Sequence, residues 1–317
     1  MKSKKAFEMS FAWIFSIIVG GIILALAIYA ASQFISTGQY KVNTVTAKEF
    51  TNLFDPLQTS VESGKINGDT RLITDTRVYT YCLSEGVFGE NLIMLAEKSG
   101  FNKKWSEPGG DITIKNQYIF AESILETKNP KFFIKPFYMP FKIADIMMMY
   151  SEDYCFVNAP EKIAEELNNF ISVSNGTGLY VKDSIAKCEG KKTVCFSGSC
   201  DINVNCNNGE CSTGYVKKDG KQLYFYDSLI YGAIFSSPEN YECNVERLMK
   251  KTEYLAQIYA KKAQFVSIRD CNSGLATDMS ELANQAHSFS SGENIFNIAI
   301  KAQDINIKNE VVECQLY

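Results

Sequence analysis

The residues with the clearest chemical potential are ten cysteines: Cys82, Cys155, Cys188, Cys195, Cys200, Cys206, Cys211, Cys243, Cys271 and Cys314. All of them follow the chain's long apolar run, and an even set of cysteines beyond such a segment is the pattern of disulfides formed in an oxidising compartment. Half of them crowd into the stretch 188-211, rich in Gly, Asn and Ser, which reads as a loop that cross-links must staple because it has little apolar content to bury. The rival chemistry is a zinc site built from Cys195, Cys200, Cys206 and Cys211. Only five residues separate Cys200 from Cys206, too few for two separate ligand-bearing knuckles. Cys-x-x-Cys is absent, and with it the activated dithiol of thioredoxin-like enzymes. Spacing leaves the pairing of the cysteines open.

Other constellations are sparse. His287 is the single histidine, so neither a multi-histidine metal site nor His-Glu-x-x-His can form, and no Gly-x-Ser-x-Gly elbow exists to complete a triad around it. Ser184 and Lys187 match Ser-x-x-Lys without its companion elements, and no glycine-rich phosphate loop occurs. Asp201, Asn203 and Asn205 alternate as calcium ligands do, and Asp270, Asn272, Asp278 and Glu281 fall at positions of a twelve-residue calcium loop, although the first set lacks a closing Glu and the second misplaces its Gly. Beyond these weak calcium candidates no cofactor is expected. Met147, Met148 and Met149 invite a copper reading, but strand alternation would send the middle side chain to the opposite face, which fits core packing. Asn175 heads an Asn-Gly-Thr glycosylation sequon.

Those residues must be positioned by the elements around them. Phe11 to Ala31 carries no charge and is rich in Ile, Leu and Ala, enough at about 1.5 Å per residue to cross a hydrocarbon core of ~30 Å. The expected layout is a cytoplasmic tail over 1-10, a transmembrane signal anchor over 11-35, a stalk or linker over 36-70, a β-rich ectodomain over 71-240 and a helical C-terminal subdomain over 241-317. Lys2, Lys4 and Lys5 place the N-terminal side in the cytoplasm by the positive-inside rule. Ala25-Leu26-Ala27 also has the small-x-small form of a signal-peptidase site, but the apolar run continues past it. Ser16, Gly20, Gly21 and Ala25 form small-xxx-small pairs that allow close helix approach in lipid, so lipid and either a second copy or another membrane protein are the expected partners.

Thr46 to Leu57 reads as a short helix and Ser60 to Thr70 as a polar connector. Strands are expected at Arg77–Cys82, Ile112–Ile114, Phe132–Ile134, Ile143–Tyr150, Tyr154–Val157, Leu223–Tyr226 and Ala233–Phe235. A helix opens after Pro160, a second spans Asn244 to Ser267 with Lys250, Lys251, Lys261 and Lys262 facing water, a third starts at Asp278 with Glu281 as its capping-box partner, and a fourth carries Ile295, Ile298, Ala302 and Ile305. The fold class is α+β: an N-terminal transmembrane helix, then a disulfide-stapled extracytoplasmic domain with a β-rich part and a C-terminal helical part.

Basic residues, an early Glu8 and a long apolar helix bearing a displayed domain resemble the start of archaeal type IV pilin-like surface proteins over about the first 35 residues. Lys5-Ala6 stands where that family's peptidase recognises a basic-small pair, but Glu8 comes only three residues after Lys5, whereas the family places its Glu at the fifth position of the mature helix. The resemblance therefore implies a membrane-anchored surface protein and no more. Lys2, Lys4, Lys5 and Glu8 contribute +2 to a net charge of −4, which leaves −6 on the rest and argues against nucleic acid as a partner. The leading expectation is a non-enzymatic surface protein with a structural, assembly or adhesion role. A ligand-binding or sensory ectodomain acting through a membrane partner is the second reading, and a carboxylate-based envelope hydrolase the third.

Overall fold

A run of 41 residues without Pro, uncharged and mostly apolar over its first half, has the helix as its one low-energy solution where no water is present to take its backbone bonds, and α1 (Phe11–Thr51) is that helix. A computed structural model describes residues 11-54, 71-98, 104-174, 176-269, 271-290 and 292-317. The helix does not stop near residue 35 to hand over to a stalk; it continues unbroken to Thr51, because no Pro or cap intervenes and Lys41 to Thr51 gains a packing partner. Its first three quarters, from Phe11 to Val42, project free of the rest of the protein with almost every side chain exposed. Beyond them Asn43, Ala47 and Phe50 are buried at helical spacing, and Phe54 continues the same face. The Lys2 to Glu8 region, the connector 60-70, Asn175 and Asp270 lie outside the described residues.

That buried face packs on an antiparallel sheet of order β3-β2-β1-β5, made of β1 (Thr76–Leu83), β2 (Glu90–Glu97), β3 (Ile112–Lys115) and β5 (Ile124–Thr127). A second, three-stranded sheet runs β4-β7-β6, from β4 (Tyr118–Ala121), β6 (Lys131–Tyr138) and β7 (Lys142–Tyr150). Alternation along β7 decides the core. Met148 enters the main core, whereas Met147 and Met149 enter the smaller core beneath α1 with Phe50, Phe54 and Phe132, so all three methionines pack and none faces solvent.

The third sheet has the order β13-β12-β11-β10-β8-β9 and mixes parallel pairs (β9/β8, β8/β10, β10/β11) with antiparallel ones (β11/β12, β12/β13). Its strands are β8 (Tyr154–Val157), β9 (Leu179–Lys182), β10 (Lys192–Cys195), β11 (Ile202–Cys206), β12 (Thr213–Lys218) and β13 (Lys221–Tyr226). Helix α2 (Glu161–Val173), entered through Pro160, is the crossover between parallel β8 and β9 and buries Ile163 and Leu167. The cysteine-rich stretch is thus not loop throughout: β10 and β11 run through it, and loops join them. Parallel pairing to β8 gives it an inner face, and Val194, Ile202 and Val204 bury there despite the polar composition around them.

Ala233–Phe235 is likewise helix and not strand: α3 (Leu229–Phe235) is buried at all seven positions, and an apolar run with no polar alternation carries no period by which to tell the two apart. Helix α4 (Pro238–Ser267) begins six residues earlier than Asn244, with Pro238 in its first turn and the Ser237 hydroxyl accepting from the Asn240 N–H. Lys250 and Lys251 are half-buried, and only Lys261 and Lys262 of the four lysines face water. Helix α5 (Ala276–His287) starts at Ala276 instead of Asp278, whose carboxylate is turned away to Lys301 at 2.7 Å and Lys308 at 3.1 Å on α6 (Asn294–Val311). Burial opposes the Asp278 charge, but the bonds from Lys301 and Lys308 outweigh it and hold the carboxyl below its usual range. Residue 240 marks a change of secondary structure and not a change of core, since Leu248, Leu282 and Ile298 share one apolar cluster with Phe120 and Phe225.

All ten cysteines are paired: Cys82–Cys243, Cys155–Cys188, Cys195–Cys200, Cys206–Cys211 and Cys271–Cys314. The first closes 161 residues and ties β1 to α4; the last ties the end of α4 to the C-terminal segment.

Candidate functional site

Where β13 ends its sheet, its outer side faces the first turns of α4, and a cavity of about 850 Å³ opens between them. Leu223, Tyr224, Tyr241 and Val245 line its floor, and Phe289, Ser290, Gly292 and Glu293 close one end. A second cavity of about 450 Å³ shares Glu246 and Phe289 with the first and continues along α4 past Met249 and Tyr254 to Gln257. Together they form one groove that follows α4 from Glu239 to Gln257, about 27 Å at ~1.5 Å per residue.

Its rim is acidic because Glu239, Glu242, Glu246 and Glu253 recur on one face of α4 at helical spacing and Glu293 joins them from the start of α6. Lys221 donates to Glu239 at 2.9 Å, and that bond raises the lysine's pKa and lowers the carboxyl's. Lys250 pairs with Glu246 at 3.0 Å. Glu293 accepts from the Tyr224 hydroxyl at 2.6 Å, which raises the tyrosine's pKa, and among the described residues neither Glu293 nor Glu242 forms an ion pair. The frame is stiff. The Tyr241 hydroxyl donates to the Tyr224 carbonyl at 2.6 Å, and Cys243, beside Glu242, is bonded to Cys82.

The residues singled out by sequence fall elsewhere or serve the fold. His287 lies at the far end of the groove with its side chain 76% exposed, and its Nδ1 is 3.1 Å from Glu253 Oε1; no serine is brought to it as a nucleophile. Lys187 pairs with Asp183 at 2.8 Å across a single 3-10 turn, and Ser184 precedes that turn. The Asp201 carboxylate accepts from the backbone N–H and hydroxyl of Thr193 at 2.8 and 2.7 Å, bonds that lower its pKa, while the Asn203 amide bridges the Cys200 N–H and carbonyl. These oxygens hold the Cys195–Cys200 turn, and Asn205 lies on β11 two residues on. Among the described residues no group of three or more His, Cys, Asp or Glu side chains is placed to hold a metal ion. Ser16, Gly20, Gly21 and Ala25 are exposed on the projecting helix, and nothing approaches within 4 Å of a Cβ built on either glycine.

Two buried cations escaped the sequence reading. Arg247 is fully buried and forms no salt bridge among the described residues; it donates to the carbonyls of Phe88 (2.9 Å), Gly89 (3.3 Å) and Gln117 (3.0 Å) and to the amide oxygens of Asn91 and Asn244, with its guanidinium 4.8 Å from the Tyr118 ring centre. Burial lowers its pKa to about 10, so it stays charged at neutral pH. Lys218 is 2% exposed and donates to Glu122 and to the carbonyls of Ile234 and Ser236 at 3.1 and 2.9 Å. Both cations join sheets to helices.

No protein-family model, curated protein or solved structure matches the chain. Function therefore has to be argued from the projecting helix, the staples and the groove.

Proposed function

We propose that the protein is a membrane-anchored structural subunit of the cell surface, with the projecting part of α1 in lipid and the disulfide-stapled domain on the non-cytoplasmic side. The observation that carries this reading is that α1 is one continuous helix, exposed and apolar on every side over Phe11–Ala31 and clamped to the domain only from Asn43 onward. A helix apolar all round has no stable place in water and belongs in a bilayer or inside a bundle. One such span exists among the described residues. Lys2, Lys4 and Lys5 precede it, which favours a cytoplasmic N-terminal side, and ten paired cysteines beyond it fit an oxidising compartment.

The projecting part of the helix is longer than the bilayer needs. From Ser32 to Val42 it adds about 16 Å of rod between lipid and domain, with Phe34, Ile35 and Tyr40 exposed. A rigid rod that sets the domain at a fixed height suits ordered lateral assembly better than a flexible tether does, and the open Ser16/Gly20 and Gly21/Ala25 pairs each supply a place for close helix packing.

Membranes from cells expressing the full chain test this. The protein should resist extraction by alkaline carbonate, its domain should be digested by protease only from the non-cytoplasmic side, and a Gly20→Cys variant should form disulfide-linked dimers more readily than Leu26→Cys, on the far side of the helix. Release by carbonate, or protection of the domain in intact cells, would overturn the anchor reading.

A further inference from the structure

The groove along α4 is not needed for anchoring, and its chemistry is specific. We propose that it is a docking site for an extended, lysine- or arginine-bearing peptide segment of a partner protein.

Charge complementarity identifies the occupant. Five glutamates rim the groove, and its two rim lysines, Lys221 and Lys250, are already engaged by Glu239 and Glu246. Glu242 and Glu293 are exposed and form no salt bridge among the described residues; the field of Lys221, which bonds Glu239, also reaches Glu242, but five carboxylates face only two lysines, so the rim keeps a net negative charge. The shape favours a chain over a compact ligand. A trough about 27 Å long holds roughly eight residues of extended peptide at ~3.3 Å each. Its floor is apolar at Leu223, Val245 and Met249 while its rim is acidic, so a chain with apolar side chains on one face and cations on the other satisfies both surfaces. One wall is β13, an end strand with no strand partner on its outer side, and the opposite wall is a helix. The Cys82–Cys243 bond and the Tyr241 to Tyr224 hydrogen bond hold the walls in place before anything binds, which lowers the ordering cost of docking.

The experiment uses the full chain in nanodiscs of zwitterionic lipid, so that the probe has no anionic membrane to bind. The probe is a fluorescein-labelled peptide of four Lys-Val repeats, followed by anisotropy, with a Glu-Val repeat and spermine as comparators. Saturable binding is expected, weakened roughly tenfold in Glu242→Gln/Glu293→Gln and further as salt rises from about 50 to about 500 mM. A Glu310→Gln/Glu313→Gln control, remote from the groove, should bind as the parent does. Both variants alter exposed side chains, and an unchanged melting temperature confirms that they fold. Absence of saturable binding, affinity unchanged in Glu242→Gln/Glu293→Gln, or full competition by spermine at equal charge would each overturn the proposal, the last because it would show attraction to charge without recognition of a chain.

Discussion

Asn43 and Glu107 lock the projecting helix to the domain: the Asn43 Nδ2 donates to the Glu107 carbonyl at 2.8 Å and to the Ser106 hydroxyl at 2.9 Å. At the next residue, the Thr44 hydroxyl accepts from the Gly110 N–H at 2.7 Å, and the backbones are so close that a Cβ on Gly109 would lie 2.6 Å from the Thr44 nitrogen.

Asn43→Leu should therefore loosen the joint, because it removes the donor to the part-buried Glu107 carbonyl and one of the two donors to the Ser106 hydroxyl, which keeps the Glu97 N–H, at a cost of about 1 kcal/mol. Gly109→Ala should act in the same direction by pushing the segment away from α1. Hydrogen exchange is the measurement: amides of Asn43 to Thr51 should lose protection while those of α4 keep theirs. Uniform loss across both helices would show that the joint and the domain are a single cooperative unit.

Arg247→Met should be among the most damaging single substitutions outside the cysteines. It takes the side-chain donor from three carbonyls and the Asn244 amide oxygen and leaves the Asn91 amide oxygen with the Ile119 N–H, for which about 3 to 5 kcal/mol is the expected loss. Arg247→Lys should rescue only part of this, since an ammonium cannot reach the fan of acceptors that a guanidinium spans. The urea midpoint of the oxidised protein reads both.

Alkaline pH should unfold the domain through its tyrosines. Burial raises the hydroxyl pKa of Tyr150, Tyr154, Tyr231 and Tyr241, and of Tyr118 to about 12. Below about pH 10 these hydroxyls are neutral in both the folded and the unfolded chain, so their contribution is fully present. Above it the unfolded chain ionises first and stability falls. Tyrosinate absorbance should thus rise in two phases, exposed rings first and buried rings together with loss of the fold; a single phase at the ordinary tyrosine range would contradict the burial.

The five disulfides should be unequal. Opening Cys82–Cys243 by a double Cys→Ala change releases a 161-residue loop, worth about 5 kcal/mol in chain entropy, against about 2 kcal/mol for the short Cys206–Cys211 loop. Thermal melts of the two double variants, each with zero free thiols by mass spectrometry, compare them directly. Equal losses would argue that Cys82–Cys243 joins parts already held together by packing.

Some of this was legible in the chain itself. An uncharged run has to be a helix that avoids water, Pro160 has to open a turn of helix, strong 3.6-residue periodicity after Asn244 has to bury one face, and the Met147 to Met149 triplet has to split between two cores if it lies in a strand. Each of these is a local rule, decided within one or two turns of backbone. What the tertiary structure alone decided involves partners distant in sequence. Composition marked 188-211 as a loop, yet parallel pairing with Tyr154–Val157 made part of it sheet; Ala233–Phe235 was apolar enough for either state, and burial against Phe120 and Tyr150 made it helix. The groove was invisible for the same reason. Glu242 and Glu293 are ordinary surface acids in sequence, and only the docking of α4 and α6 against the last strand of a six-stranded sheet brings their charges to one trough, because side chains fifty residues apart add their fields only when packing puts them in the same space.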